Sequence, residues 1–175
     1  MSADAAQVVL SQLVGCWEGT LRRREAADQP FEEFPGRLEN RWVLGGRFVE
    51  MTLRGGPMGD GWSALFYIGY ERNERRYVLV SLEPGDRRVT IRRGEWSQDP
   101  GRLVLTSHTQ NGVAGQDLRS HIVCDCRIPG RLKLELAERT EPDEEFVRFR
   151  ADYRTAICGS IPPHAPRQHR RFVIA

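Results

Sequence analysis

The spacing of hydrophobic and polar positions changes once along the chain. Between Ala5 and Val14, the residues Val9, Leu10, Leu13 and Val14 recur at helical spacing, with Asp4 placed as an N-cap and Gly15 as the stop. This predicts a short helix. Beyond Gly15 the helical period disappears, and short runs of alternating side chains take over. The clearest is Trp62 to Tyr70, where Trp62, Ala64, Phe66, Ile68 and Tyr70 share one face.

Similar runs cover Trp17 to Arg24, Leu38 to Leu44, Arg47 to Leu53, Tyr77 to Leu82, Val89 to Trp96, Leu103 to Ser107, Leu118 to Ile128, Leu132 to Ala137 and Phe146 to Tyr153. Turn residues separate them. Gly45-Gly46 predicts a two-residue hairpin, because both positions tolerate positive φ. Asn73, Pro84-Gly85-Asp86, Asp99-Pro100-Gly101, Asn111-Gly112, Pro129-Gly130 and Pro142-Asp143 mark further reversals. About ten short strands joined in sequence predict an all-β fold, a closed up-and-down antiparallel barrel of lipocalin type with a short N-terminal helix. Closure removes the exposed edges of such a sheet, and barrels of this size enclose one small ligand. The barrel is expected over residues 1–155. Residues 156–175, with Pro162, Pro163 and Pro166 among His164, Arg167, His169, Arg170 and Arg171, read as a tail draped on the surface.

Composition narrows the function classes. The chain has 175 residues with 26 basic and 24 acidic side chains, a net of +2, so no strong field draws it to nucleic acid or to a membrane. Lys133 is the sole lysine, and no function follows from that. Cys16, Cys124, Cys126 and Cys158 do not suggest a disulfide framework and are expected as buried free thiols. Cys124 and Cys126 share a strand face but lack the further ligands of a metal site. No metal and no cofactor are expected. Met1 to Gln7 holds no basic residue and Val8 to Leu10 is too short for a signal core, so a cytoplasmic location is expected.

Several motifs carry a family resemblance. Leu13-Val14-Gly15-Cys16-Trp17-Glu18-Gly19 looks like the opening Leu-x-Gly-x-Trp-x-Gly of calycin-like barrels. More specific are the run Arg41 to Glu50, the pair Met58-Gly59, Ile68-Gly69-Tyr70 and Tyr77. Together they resemble the bacterial family called domain of unknown function 1579, over roughly residues 10 to 154. The resemblance implies a lipocalin-like barrel and no established activity. Glu71 stands where the family usually has Asp, and the segment after Arg154 falls outside its pattern. The nitrobindin-like haem barrels share the opening Gly-x-Trp-x-Gly. Here Gly19 is followed by Thr20-Leu21-Arg22-Arg23-Arg24 rather than their Gly-rich stretch, and the late run Phe146 to Tyr153 has no His, so haem is disfavoured.

The candidate chemistry is sparse. Asn40 shares a face with Leu38, Trp42 and Leu44, an inward polar group that needs a partner. Trp42, Met51, Phe66 and Tyr77 are candidates to line a cavity, although ordinary core packing explains them as well. Trp17 reads as a plug at one barrel end. His121 is a candidate general base or ligand contact, but it shares a face with Arg119, Val123, Asp125 and Arg127, which looks like the solvent side. His108, at the end of the run Val104 to Ser107, is a second candidate of the same kind. The Gly-rich loop Gly55 to Gly61 lacks a following Gly-Lys-Ser/Thr and is no phosphate cradle; it reads as a hairpin loop at the barrel mouth that could serve as a lid. Glu32-Glu33 and Asp143-Glu144-Glu145 read as solvated loop charges, and no nucleophile elbow is present.

These features favour a binding protein for a small apolar or amphipathic molecule, with Asn40, Trp42, Met51, Phe66, Tyr77 and His121 as ligand contacts. The alternative is a barrel enzyme of isomerase or cyclase type acting on a small hydrophobic substrate, by positioning with one or two polar groups. A protein-interaction module is a third reading. The expected partner is a small hydrophobic molecule, with homodimerisation left open.

Overall fold

The computed structural model describes residues 3–24, 26–56, 62–82, 89–96, 101–110, 117–140 and 144–158. One helix, α1 (Ala3–Ser11), precedes ten strands: β1 (Gly15–Arg23), β2 (Glu32–Val43), β3 (Phe48–Gly55), β4 (Trp62–Glu71), β5 (Arg76–Leu82), β6 (Val89–Trp96), β7 (Arg102–Gln110), β8 (Asp117–Asp125), β9 (Arg131–Thr140) and β10 (Glu144–Ala156). Each strand pairs antiparallel with its sequence neighbours, and β1 pairs β10, which closes the ring. The up-and-down barrel expected from the alternating runs is the observed fold.

Alternation explains the wall. Val49, Met51 and Leu53 on β3 point inward and are fully or almost fully buried, and they pair with Ile68, Phe66 and Ala64 on β4. Leu21, Leu38, Leu79, Leu105, Ile122, Leu134 and Phe149 join the same cluster from other strands. Each such side chain contributes about 1.5–3 kcal/mol by leaving water. The outer face is laced with ion pairs. Arg41 donates to Glu50 at 2.8 Å, Tyr67 donates to the same carboxylate at 2.9 Å, and Arg150 donates to Glu135 at 2.8 Å. That carboxylate holds the Tyr67 hydroxyl above its ordinary range by accepting its proton in a hydrogen bond.

The helix closes one end. Ala6, Leu10 and Leu13 are buried, with 0–1% of their surface exposed. Trp17 Nε1 donates to the Leu13 carbonyl at 3.0 Å, and Asn40 Nδ2 donates to the same oxygen at 2.7 Å. Those bonds pin the helix exit across β1 and β2. The helix itself stops at Ser11, three residues before the expected end. Gln12, Leu13 and Val14 then bond three residues back, to Val9, Leu10 and Ser11, which is the tighter winding common at helix ends. Asp4 lies inside the helix, not before it as a cap.

Three local expectations are corrected. The β2–β3 turn is not a two-residue hairpin. Val43 pairs Phe48, and Leu44, Gly45 and Gly46 all take positive φ, so the reversal spans residues 44–47. Leu44 takes that backbone despite the cost its Cβ incurs there, and its side chain is exposed. The β8 run ends at Asp125, not Ile128. The third correction concerns the cysteines. Cys16 and Cys158 form a disulfide, while Cys124 and Cys126 are free. Spacing could not reveal a bond between residues 142 positions apart. It exists because β1 and β10 meet at the seam, where Cys16 lies opposite Ala156. Cys158 therefore continues directly from β10, within what read as the tail. The remainder of that tail, the loop residues 57–61, the turns at 84–86 and 99–100, and those at 111–112 and 142–143 lie outside the described residues.

Glycines make room where the barrel packs tightest. Gly19, Gly36 and Gly55 stand side by side on β1, β2 and β3, and Tyr153 on β10 pairs Gly19. A Cβ on Gly36 would lie 2.9 Å from Tyr153 Oη. The ring thus lies against a wall without side chains, fully buried, and its hydroxyl has no hydrogen-bond partner among the described residues. Burial pushes that hydroxyl well above its usual range.

Gly36→Val should therefore cost about 1–3 kcal/mol, by forcing Tyr153 out of place. Tyr153→Phe should stabilise by about 1 kcal/mol, since it removes a buried hydroxyl without a partner. Because the folded state resists ionisation of Tyr153, its contribution is intact below the unfolded tyrosine value near 10 and is lost as pH rises further. The Phe variant should lose less stability above pH 10, and denaturant midpoints at pH 7 and pH 10.5 check both claims. Cys16→Ser, or reduction of the seam disulfide, should lower stability by about 2–5 kcal/mol, as read from urea titrations with and without dithiothreitol.

Candidate functional site

A band of polar side chains crosses the inner wall on β5 to β10. Its centre is Arg92 on β6, which is 3% exposed. Arg92 pairs Leu79 on β5, a fully buried wall residue, so the guanidinium stem starts on the lumen side. Arg92 Nη1 donates to Ser81 Oγ at 2.7 Å, and Nε donates to Ser120 Oγ at 3.1 Å. Those two serines sit on β5 and β8, so the side chain spans the wall from one to the other. Arg93 pairs Thr106, which places Arg92 beside the buried Ser107. Ser107 pairs Ser120, Ser120 pairs Glu138, and Glu138 pairs Phe146. Directly paired residues share a face. The row Arg92, Ser107, Ser120, Glu138 and Phe146 therefore runs along the inside.

Glu138 accepts a bond from Arg148 Nη1 at 2.8 Å, with the carboxylate side chain 12% exposed and the guanidinium side chain 28%. A β-bulge brings them together. Val147 pairs Ala137 and Phe149 pairs Leu136, leaving Arg148 as the extra residue. Without it, Arg148 would alternate to the face opposite Phe149. Bulges commonly re-aim a side chain in this way.

The band lies toward the rim away from α1. Ser81 is the sixth of seven residues on β5, and that strand runs away from the helix. At the same rim Arg24 Nε donates to the Val147 carbonyl at 2.7 Å, and its guanidinium lies 4.7 Å from the Phe31 ring centroid and 5.7 Å from that of Phe146. Phe31, Phe146 and Arg148 are only half-buried there. The core cluster reaches from Leu10 and Leu13 at the α1 end to Leu21 and Leu53 near the far ends of β1 and β3.

The six residues proposed from sequence separate along the axis. Asn40, Trp42 and Tyr77 lie at the helix-closed end, and Asn40 is engaged with the Leu13 carbonyl. Tyr77 is fully buried and meets Tyr70 edge to face at 5.2 Å. Met51 and Phe66 pair with each other at mid-height and are buried. His121 lies between the inward Ser120 and Ile122 and pairs the exposed Thr106, so it faces outward, away from the other five. The side chains of Trp62, Trp96 and His108 lie outside the described residues. Arg92, Ser81, Ser107 and Ser120 were not singled out from sequence.

A family model described as a protein of unknown function, DUF1579, matches residues 3–154. The chain belongs to that family. The DUF1579 barrel is similar to the crystal structure of Rv2717c from M. tuberculosis, with 20% identity and a TM-score of 0.63, over 86% of this chain and 97% of that one. At that identity the likeness speaks to fold alone. A protein of unknown function from the DUF3598 family of Nostoc punctiforme is 8% identical with a TM-score of 0.25, over 89% of this chain and 100% of that one, and it carries no argument. No curated protein matches the chain.

Outside the lumen, the DUF1579 barrel has a cleft of about 300 Å³ where α1 meets the barrel end, lined by Gln7, Leu10, Arg47, Phe48, Tyr70 and Arg72. A groove of about 410 Å³ runs past Glu39, Arg41, Glu50 and Arg54 beside the disulfide. Cys124 and Cys126 offer little nucleophilic chemistry. Burial pushes the Cys124 thiol well up and raises Cys126 to about 12, so both stay protonated near neutral pH.

Proposed function

We propose that this DUF1579 barrel binds a small amphipathic molecule through the rim opposite α1. The observation that supports this is a buried guanidinium among serine hydroxyls, on the inner wall of a barrel whose core cluster is apolar and whose other end is blocked by a helix. Ligand pockets combine apolar lining with a few placed polar groups. A purely structural interior would favour apolar side chains at these positions, since each buried polar group must be matched by a partner. Apolar parts of the ligand would rest against Phe146 and the upper core, with Met51 and Phe66 forming the floor. Asn40, Trp42 and Tyr77 serve in this reading as the packed base beneath it.

Native mass spectrometry of the purified protein is expected to show a small organic molecule that dissociates on collisional activation. Nile red should gain emission on mixing with the protein and lose it when 1-octanol is added. A protein that carries no such molecule and leaves the dye dark has no binding lumen, and the reading fails.

A further inference from the structure

We infer that the cleft between α1 and the neighbouring ends of β3 and β4 is a further binding site, for a small organic oxyanion with a flat apolar body. It lies outside the lumen, at the end away from the polar rim. Its volume of about 300 Å³ is at the lower end for small-molecule sites. Its described lining sets two cations, Arg47 and Arg72, around the apolar surfaces of Leu10, Phe48 and Tyr70 and the amide of Gln7, and holds no carboxylate.

Local structure builds each part. Gln7 and Leu10 are three apart on α1 and share a face. Gln7 Nε2 donates to the Gly46 carbonyl at 3.0 Å, which ties the helix to the backbone just before Arg47. Phe48 opens β3 opposite Gly69 on β4, and a Cβ on Gly69 would lie 2.5 Å from the Phe48 ring. The ring therefore rests on bare backbone next to Tyr70, which itself meets Tyr77 edge to face. Arg72 follows directly on the last residue of β4.

The nearby carboxylates are engaged elsewhere. Glu50 pairs with Arg41, Glu71 with Arg76 and Arg93, and Glu74 with Arg76. Arg47 and Arg72 are exposed and form no ion pair or hydrogen bond among the described residues. Two like charges beside one small cleft repel, and an oxyanion between them removes that cost. Guanidinium forks hold carboxylate or phosphate oxygens two at a time, while the rings of Phe48 and Tyr70 offer area to the apolar body. Because both arginines reach water, their attraction for the head is screened by salt.

Isothermal titration of the full chain at pH 7.5 with sodium 2-naphthoate, 2-naphthyl phosphate and the neutral 2-naphthylmethanol tests this, in wild type and in Arg47→Gln/Arg72→Gln. Wild type is expected to bind at least one anion about tenfold tighter than the alcohol, and to lose most of that preference when sodium chloride is raised. Whichever anion binds tighter tells a carboxylate head from a phosphate. The double variant replaces exposed side chains, which bear little on folding, and should bring anion and alcohol to within about twofold of each other. A preference for the anion that survives the double variant overturns the assignment. So does a wild type that binds all three probes alike, or none. Any of these results leaves the rim reading standing, since that site lies at the other end of the barrel.

Discussion

Every strand in this molecule depends on the seam between β1 and β10. A ten-strand meander of this length has two edges, each a row of unpaired amides and carbonyls, until the first strand meets the last. Eight consecutive residue pairs, from Cys16 opposite Ala156 to Arg23 opposite Phe149, close that gap. The Cys16–Cys158 bond lies at the end of the same seam and ties together residues that the unfolded chain holds far apart. Its entropic effect is large for that reason. The bond also links the closure to redox conditions, since such a bridge persists in an oxidising setting and opens in a reducing one.

Closure in turn creates an inside with two ends, and the ends differ. At one, α1 inserts Ala6, Leu10 and Leu13, and the Leu13 carbonyl receives bonds from Trp17 and Asn40. At the other, the wall turns polar through Arg92, three serines, and the Glu138–Arg148 pair. The proposed amphipathic ligand rests on that contrast between an apolar core and a polar band. Trp17 plugs the blocked end, as its place after the helix suggests, and Trp42, a candidate to line a cavity, belongs to that end too.

Much of the fold was legible from alternation. On β3 and β4, Val49, Met51, Leu53, Phe66 and Ile68 fall at every second position and all point inward. Each strand reports its own face there, because polarity and burial agree. The same rule, applied to His121, indicated the solvent side, and His121 does face outward. Most of the candidate site was not legible, and β6 shows why. Its apolar residues Val89 and Ile91 are 56% and 43% exposed, while Arg92 between them and Arg93 is 3% exposed. A reader of β6 alone would turn the strand the wrong way round. Register decides it: Leu79 on β5 must face the core, and Arg92 lies directly opposite Leu79.

The sequence by itself determined the strand count, the order of pairing between neighbours, the terminal helix and the family, because each is written in local period, turn residues or short motifs. Tertiary structure alone decided three things. It brought Cys16 to Cys158, it turned the β6 arginine into the lumen, and through a one-residue bulge it aimed Arg148 at Glu138. All three depend on contacts between residues distant in sequence. A local pattern fixes the spacing of side chains along one strand, but which face meets the interior is set by the partner strand and by where the ring closes.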